Sequence, residues 1–179
     1  MIKAIRPLYE QYGAEGFYQS FADAYENPHE PEIQELIERN LQRIDVRSVL
    51  DFSAGSGEVT RALQMLGVTE ISGSDPYTSA LYTTRTQRPC FTWSFKDVIC
   101  GKTSSQRCST IISAFALHLC PEKDLFPLSW GLLQMAPQLL LITPHKRPEL
   151  EKLGGIHLLW EDFVCTNRGK KVRMKAYGL

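Results

Sequence analysis

Closely spaced cysteine pairs are missing from this chain. The five cysteines (Cys90, Cys100, Cys108, Cys120, Cys165) are odd in number and none forms a C-x-x-C pair. A disulfide framework or a thiolate zinc site needs such pairs, so reduced thiols and no metal site are expected. No apolar run approaches the ~20 residues that cross a bilayer, and the first residues lack the apolar core of a secretory leader. A soluble, cytoplasmic chain with no membrane partner is the expectation. Net charge is lacking too: 20 Lys/Arg balance 20 Asp/Glu, so the total demands neither nucleic acid nor an acidic surface. Repeats and low-complexity runs are absent. With 179 residues, 43% of them hydrophobic, the chain fits one domain (1–179) with one sizeable core and no spare length for a target-recognition domain.

What the chain does have is concentrated in Val49-Leu50-Asp51-Phe52-Ser53-Ala54-Gly55-Ser56-Gly57-Glu58. Arg47 to Leu50 read as the end of a buried strand, and Ser53 to Gly57 as a turn with almost no side-chain bulk. Val59, Ala62, Leu63 and Leu66 then recur at helical spacing, with Gly67 at the C-cap position. Such a turn lets a ligand lie against the backbone, and the helix start beyond it offers free N–H groups.

The acids decide which ligand. A dinucleotide turn of the G-x-G-x-x-G type sets phosphates on the helix start. Here Gly55-Ser56-Gly57 is followed by Glu58-Val59-Thr60, so the third glycine is missing, and Asp51 would repel a pyrophosphate. A cationic or zwitterionic ligand suits Asp51 and Glu58 better. That favours a sulfonium nucleoside and leaves a nicotinamide oxidoreductase as the third reading. A further acid, Asp75, ends the next strand-like segment, Glu70 to Ser74, and lies 24 residues beyond Asp51. A carboxylate at that strand end can accept both ribose hydroxyls. Standing alone, Asp75-Pro76 is also a plain turn signal.

The segment Leu50-Asp51-Phe52-Ser53-Ala54-Gly55-Ser56-Gly57 resembles motif I of the class I S-adenosylmethionine-dependent methyltransferases, with Ser53 where that family usually has its first glycine. The resemblance runs from about residue 30 onward. It implies an α/β fold: a single-domain, seven-stranded, mostly parallel sheet with helices on both faces and an antiparallel last strand. It implies S-adenosyl-L-methionine as cofactor, with Asp51, Ser53, Ala54, Gly55 and Gly57 at the turn, Asp75 at the ribose, and Pro76 or Tyr77 against the adenine. Asp97 and the Val98 backbone would take the adenine edge, and Ala114, Phe115 and Ala116 would lie beside the methyl group. Residues 1–45 would form an N-terminal helical cap, with Tyr18 and Tyr25 closing over the methionine end.

The rest of the chain fits this frame. Ile33, Leu36, Ile37, Leu41 and Ile44 make an apolar helical stripe after Pro31. Phe91-Thr92-Trp93-Ser94-Phe95 alternates like a strand, and residues 101–108 read as a loop. Ser109 to Leu119 reads as a strand running into a small-residue turn. It resembles the family's motif IV region, with Ser109 in place of the usual leading Asp. A helix over Asp124–Met135 and a strand over Gln138–Thr143 follow. Ile156–Cys165 and Lys170–Tyr177 close the chain as two strands joined at residues 166–169.

Methyl transfer needs alignment and sometimes a base. His118 and His145, after the fourth and fifth strands, are the catalytic candidates, with Lys146 and Arg147 as anion anchors. No Asn/Asp-Pro-Pro-aromatic motif follows the fourth strand, and Cys120-Pro121 reverses the Pro-Cys order of cytosine-5 enzymes. The expected acceptor is a small molecule. RNA is the second class, through the basic C-terminal region with eight Lys/Arg against four acids from His145 onward. The alternative function is a catalytically weak, methyltransferase-like subunit that works as a scaffold through a partner. Oligomeric state is left open.

Overall fold

The computed structural model describes residues 27–179, so Tyr18 and Tyr25 lie outside the described residues. The elements run α1 (Glu30–Asn40), β1 (Val49–Phe52), α2 (Glu58–Met65), β2 (Ile71–Ser74), α3 (Ser79–Thr86) and β3 (Cys90–Phe91). They continue α4 (Phe95–Ile99), β4 (Thr110–Ala114), α5 (Glu122–Met135), β5 (Gln138–Thr143), β6 (His157–Cys165) and β7 (Lys171–Gly178). Short 3-10 turns stand at Leu41–Arg43, Leu117–Leu119 and Leu150–Lys152.

The inner strands are apolar because helices cover both sides of the sheet. Successive β5 side chains alternate between the two layers: Leu140 and Ile142 pack with α1 and α2, Leu139 and Leu141 with α4 and α5. The seven strands are ordered β3-β2-β1-β4-β5-β7-β6. Strands β1 to β5 are parallel, and β7 runs antiparallel to both β5 and β6. This is the expected mostly parallel sheet with an antiparallel last strand. Chain order reverses between β1 and β4, and a crevice opens beyond the carboxyl ends of those strands.

Two local expectations change. The alternating run Phe91–Phe95 is extended only at Cys90–Phe91. Ser94 ends it by capping α4: its hydroxyl accepts the Asp97 N–H at 3.3 Å, and the Asp97 carboxylate accepts the Ser94 N–H at 2.9 Å. Likewise β4 stops at Ala114, because Phe115 turns to φ 58°.

The described part of the expected cap, residues 27–45, packs as core. Ile33, Leu36 and Ile37 are fully buried. Asn40 bonds the Leu36 carbonyl and the Asp162 carboxylate, both at 2.9 Å, which stitches α1 to β6. Among the described residues no helix is long and apolar enough to cross a membrane.

Tyr82 of α3 is fully buried and lies over β2 where Gly73 has no side chain. A Cβ on Gly73 would stand 2.4 Å from the ring carbon Cζ. Gly73→Ala is therefore expected to cost about 1–3 kcal/mol in urea unfolding. Combined with Tyr82→Leu, the two losses should be less than additive. An unchanged midpoint for Gly73→Ala would show that the ring is not held against the strand.

Candidate cofactor cleft

The turn after β1 hangs from the end of β2. The Ser74 carbonyl accepts the N–H groups of Ser53 (2.8 Å) and Ala54 (3.1 Å), and Asp75 Oδ2 accepts that of Gly55 (3.1 Å). Ser53, Gly55 and Gly57 all have positive φ, at 60°, 55° and 90°. Serine is held here in the left-handed region at a cost of roughly 1–2 kcal/mol, which is the physical reason a glycine suits this place. Across the crevice Phe115 is also left-handed, its N–H fixed by the Ile142 carbonyl at 2.8 Å. Two non-glycine residues thus hold unfavourable backbone at the two strand ends that flank the crevice, and such outliers cluster at functional sites.

Three carboxylates gather beneath. Asp51, 1% exposed, accepts the Thr60 N–H at 3.2 Å and the Thr60 hydroxyl at 2.8 Å. That hydroxyl lies 2.8 Å from the Tyr82 phenol, which is left to donate to it. Burial pushes the Asp51 carboxyl up to about 8; the Thr60 hydrogen bond opposes this, and nearby Glu58 and Asp75 add to it. Glu58, also buried, accepts the Asn27 N–H at 3.2 Å and the Ser56 hydroxyl. Asp75 uses its second oxygen for the N–H groups of Tyr77 and Thr78, both at 2.9 Å. One cleft-lining acid thus also welds the two turns together.

Above these groups lies a cleft of about 280 Å³. Of the residues marked out by sequence, Asp51, Ser53, Ala54, Gly55, Glu58, Asp75, Pro76, Tyr77 and Ala114 to Ala116 line it. Lys96 is the one cation among the described lining residues. The far wall was not legible as such: Trp93, stacked on Phe91 with ring centroids 4.0 Å apart, then Ser94 and Phe95. Their signal was the Ser94-x-x-Asp97 capping box, which marks a helix start facing the crevice.

Five of the residues marked out by sequence, Asp97, Val98, Gly57, His118 and His145, are not among those lining the cleft. Asp97 is not in the cleft lining; its carboxylate is committed to Ser94 and Lys102. The Lys102 contact, then the Ser94 bonds, hold its pKa well below the usual carboxylate range. Val98 is buried against α5, where a Cβ on Gly131 would lie 2.9 Å from its Cγ1. Gly57 caps α2 beneath the turn; a Cβ there would meet Thr86 Cγ2 at 2.4 Å, so its glycine serves packing. His118 and His145 also stand outside the lining, their ring centroids 4.7 Å apart behind the β4 exit turn.

No family model matches the chain. Over 92 residues, 48% of this chain, it is 35% identical to an uncharacterized protein of Schizosaccharomyces pombe, and the match takes in 37% of that protein's length. In fold the chain is similar to magnesium protoporphyrin IX methyltransferase of Synechocystis PCC 6803 with bound SAM (TM-score 0.67, 13% identity, 97% of this chain and 96% of that one). It is similar also to a SAM-dependent methyltransferase of Anabaena variabilis (0.68, 12%, 98% and 95%). A third is the N-methyltransferase NodS of Bradyrhizobium japonicum in complex with S-adenosyl-L-homocysteine (0.64, 12%, 86% and 88%). At these identities the likeness establishes the architecture: the α/β fold of the class I methyltransferases.

The state of Asp51 can be read from stability. An acid whose folded pKa is raised costs nothing at low pH, and its penalty grows as pH climbs from the ordinary 3.8 through about 8. Relative to Asp51→Asn, the wild-type chain without ligand should therefore lose stability across that window and level off above it. Urea midpoints of both proteins from acid to alkaline pH provide the check; a difference independent of pH would show that the carboxyl carries no such penalty.

Proposed function

We propose that the cleft binds S-adenosyl-L-methionine and that the chain transfers its methyl group to a small-molecule acceptor. The observation that carries this reading is the trio of buried acids, Asp51, Glu58 and Asp75, around an otherwise largely apolar cleft at the sheet's switch point. An unpaired buried carboxyl such as Asp51 is unfavourable alone and is relieved by a cation, so the site fits a ligand with ammonium and sulfonium charges. When bound, that cofactor supplies a methyl group on positively charged sulfur.

The chain's own groups then bind and align. Asp51 and Glu58 set the negative potential beside Ile33 and Asn27. Asp75 accepts from the ribose hydroxyls while keeping the turn closed. Tyr77, Trp93 and Phe95 offer flat apolar walls to a purine. Small side chains at Ala114 and Ala116 keep the way to the acceptor clear, and Phe115 fixes its edge. Alignment of donor and acceptor supplies the main acceleration in such a displacement.

A small acceptor is preferred to RNA because three of the eight basic residues from His145 onward are engaged locally. Lys175 is buried with its ammonium 3.3 Å from Glu151, Lys171 sits 3.8 Å over the Phe163 ring, and Lys152 pairs with Glu149 at 2.8 Å. A phosphate-tracking surface needs such charges free.

Calorimetry with S-adenosylhomocysteine tests the cofactor. Saturable binding is expected, and Asp75→Ala should weaken it by about 1–3 kcal/mol. Because Asp75 also supports the turn, a 2′-deoxy analogue separates the two roles: it should bind less well than the parent to the wild type, yet equally well to the variant. No binding by the wild type would sink the reading.

A further inference from the structure

The β4 exit turn separates two cavities. Ala116 and Leu119 line the cofactor cleft, while Leu117, His118 and Cys120 line a second space of about 340 Å³ on the other side. Its remaining walls come from α5 (Glu122, Leu125) and from the segment after β5 (Arg147 to Glu149, Lys152, Leu153). Both strand ends belong to the rim where open α/β sheets bind ligands, and the two spaces share the turn after β4 as a common wall.

Its charges are unevenly used. Lys152 is committed to Glu149 at 2.8 Å, whereas Arg147 is exposed and makes no hydrogen bond or ion pair among the described residues. The body of the space is apolar, from Leu117, Leu125, Pro148 and Leu153. His118 faces His145, whose backbone N–H donates to the Thr143 hydroxyl at 3.1 Å. Desolvation and, after it, the facing His145 push His118 down to about 4, so near neutral pH it offers a polar edge without charge.

We infer that this second cavity anchors the acceptor, a small and largely apolar molecule bearing a single carboxylate or phosphate group that Arg147 receives. Arginine is suited to the task because its planar fork binds such oxyanions in two-point fashion. Glu122 and Glu149 in the same lining oppose a second anionic group, which disfavours a polyanionic strand. The acceptor's reactive end then extends past Leu119 into the cofactor cleft. This assignment rests on the methyltransferase reading and names the substrate class for it.

The test uses the full chain, isotope-labelled and followed by NMR, with hexanoate and hexyl phosphate as probes and saturating S-adenosylhomocysteine present. Saturable shifts confined to residues 117–120 and 147–153 are expected, with the tighter probe identifying the preferred anionic group. Hexanol should bind more weakly, and Arg147→Gln should weaken both anions by roughly tenfold while leaving S-adenosylhomocysteine affinity unchanged. Absence of saturable shifts up to about 10 mM of either anion would overturn the inference, as would equal binding by the variant. An RNA oligonucleotide that moves the same resonances in an Arg147-dependent way would overturn the small-acceptor assignment. If the anions bind but S-adenosylhomocysteine does not, the acceptor role falls with the methyltransferase reading, whereas cofactor binding without anion binding removes this inference alone.

Discussion

A carboxyl buried at the end of the central strand is the constraint around which the crevice is built. Asp51 could not sit at 1% exposure without the two bonds from Thr60, and Thr60 is held in turn by Tyr82. Tyr82 reaches that position only because Gly73 and Gly57 leave room for its ring. Three chain segments, the motif turn, the second strand and α3, are thereby fixed relative to one acid. The same acid faces the cleft, so the network that organises the fold also sets the electrostatic character of the site. Stability and the charge of the cleft are coupled through it.

The acids of the crevice divide their work unequally. Asp51 takes both its bonds from one residue, Thr60, and its ionisation is opposed by burial. Asp75 receives three backbone N–H groups, which makes it part of the scaffold as well as a candidate ligand contact. Glu58 ties the start of the described chain, at Asn27, to the helix that follows the turn. A cationic ligand would meet acids already held in place, and preorganised partners of this kind reduce the cost of ordering on binding.

Much of this was legible in the sequence, because its signals were local. Buried strands such as Gln138–Thr143 announce themselves by an unbroken apolar run, and the Ser53–Gly57 turn by its lack of bulk. What stayed hidden was either a local cap competing with an alternating pattern or a partner remote in sequence. Alternation over Phe91–Phe95 mimicked a strand until the Ser94–Asp97 capping box turned the chain into a helix. The packing of Gly57 against Tyr82 and Thr86 leaves no local trace, because those partners are remote in sequence. The facing of His118 and His145 depends on two separate strand exits and leaves no trace in either segment alone.

Ser53 carries a lesson for recognition. Its left-handed backbone does the geometric work that a glycine does elsewhere, while its letter in the alphabet differs. A pattern that demands glycine at this position would exclude the bend, whereas one keyed to the sign of φ would admit it.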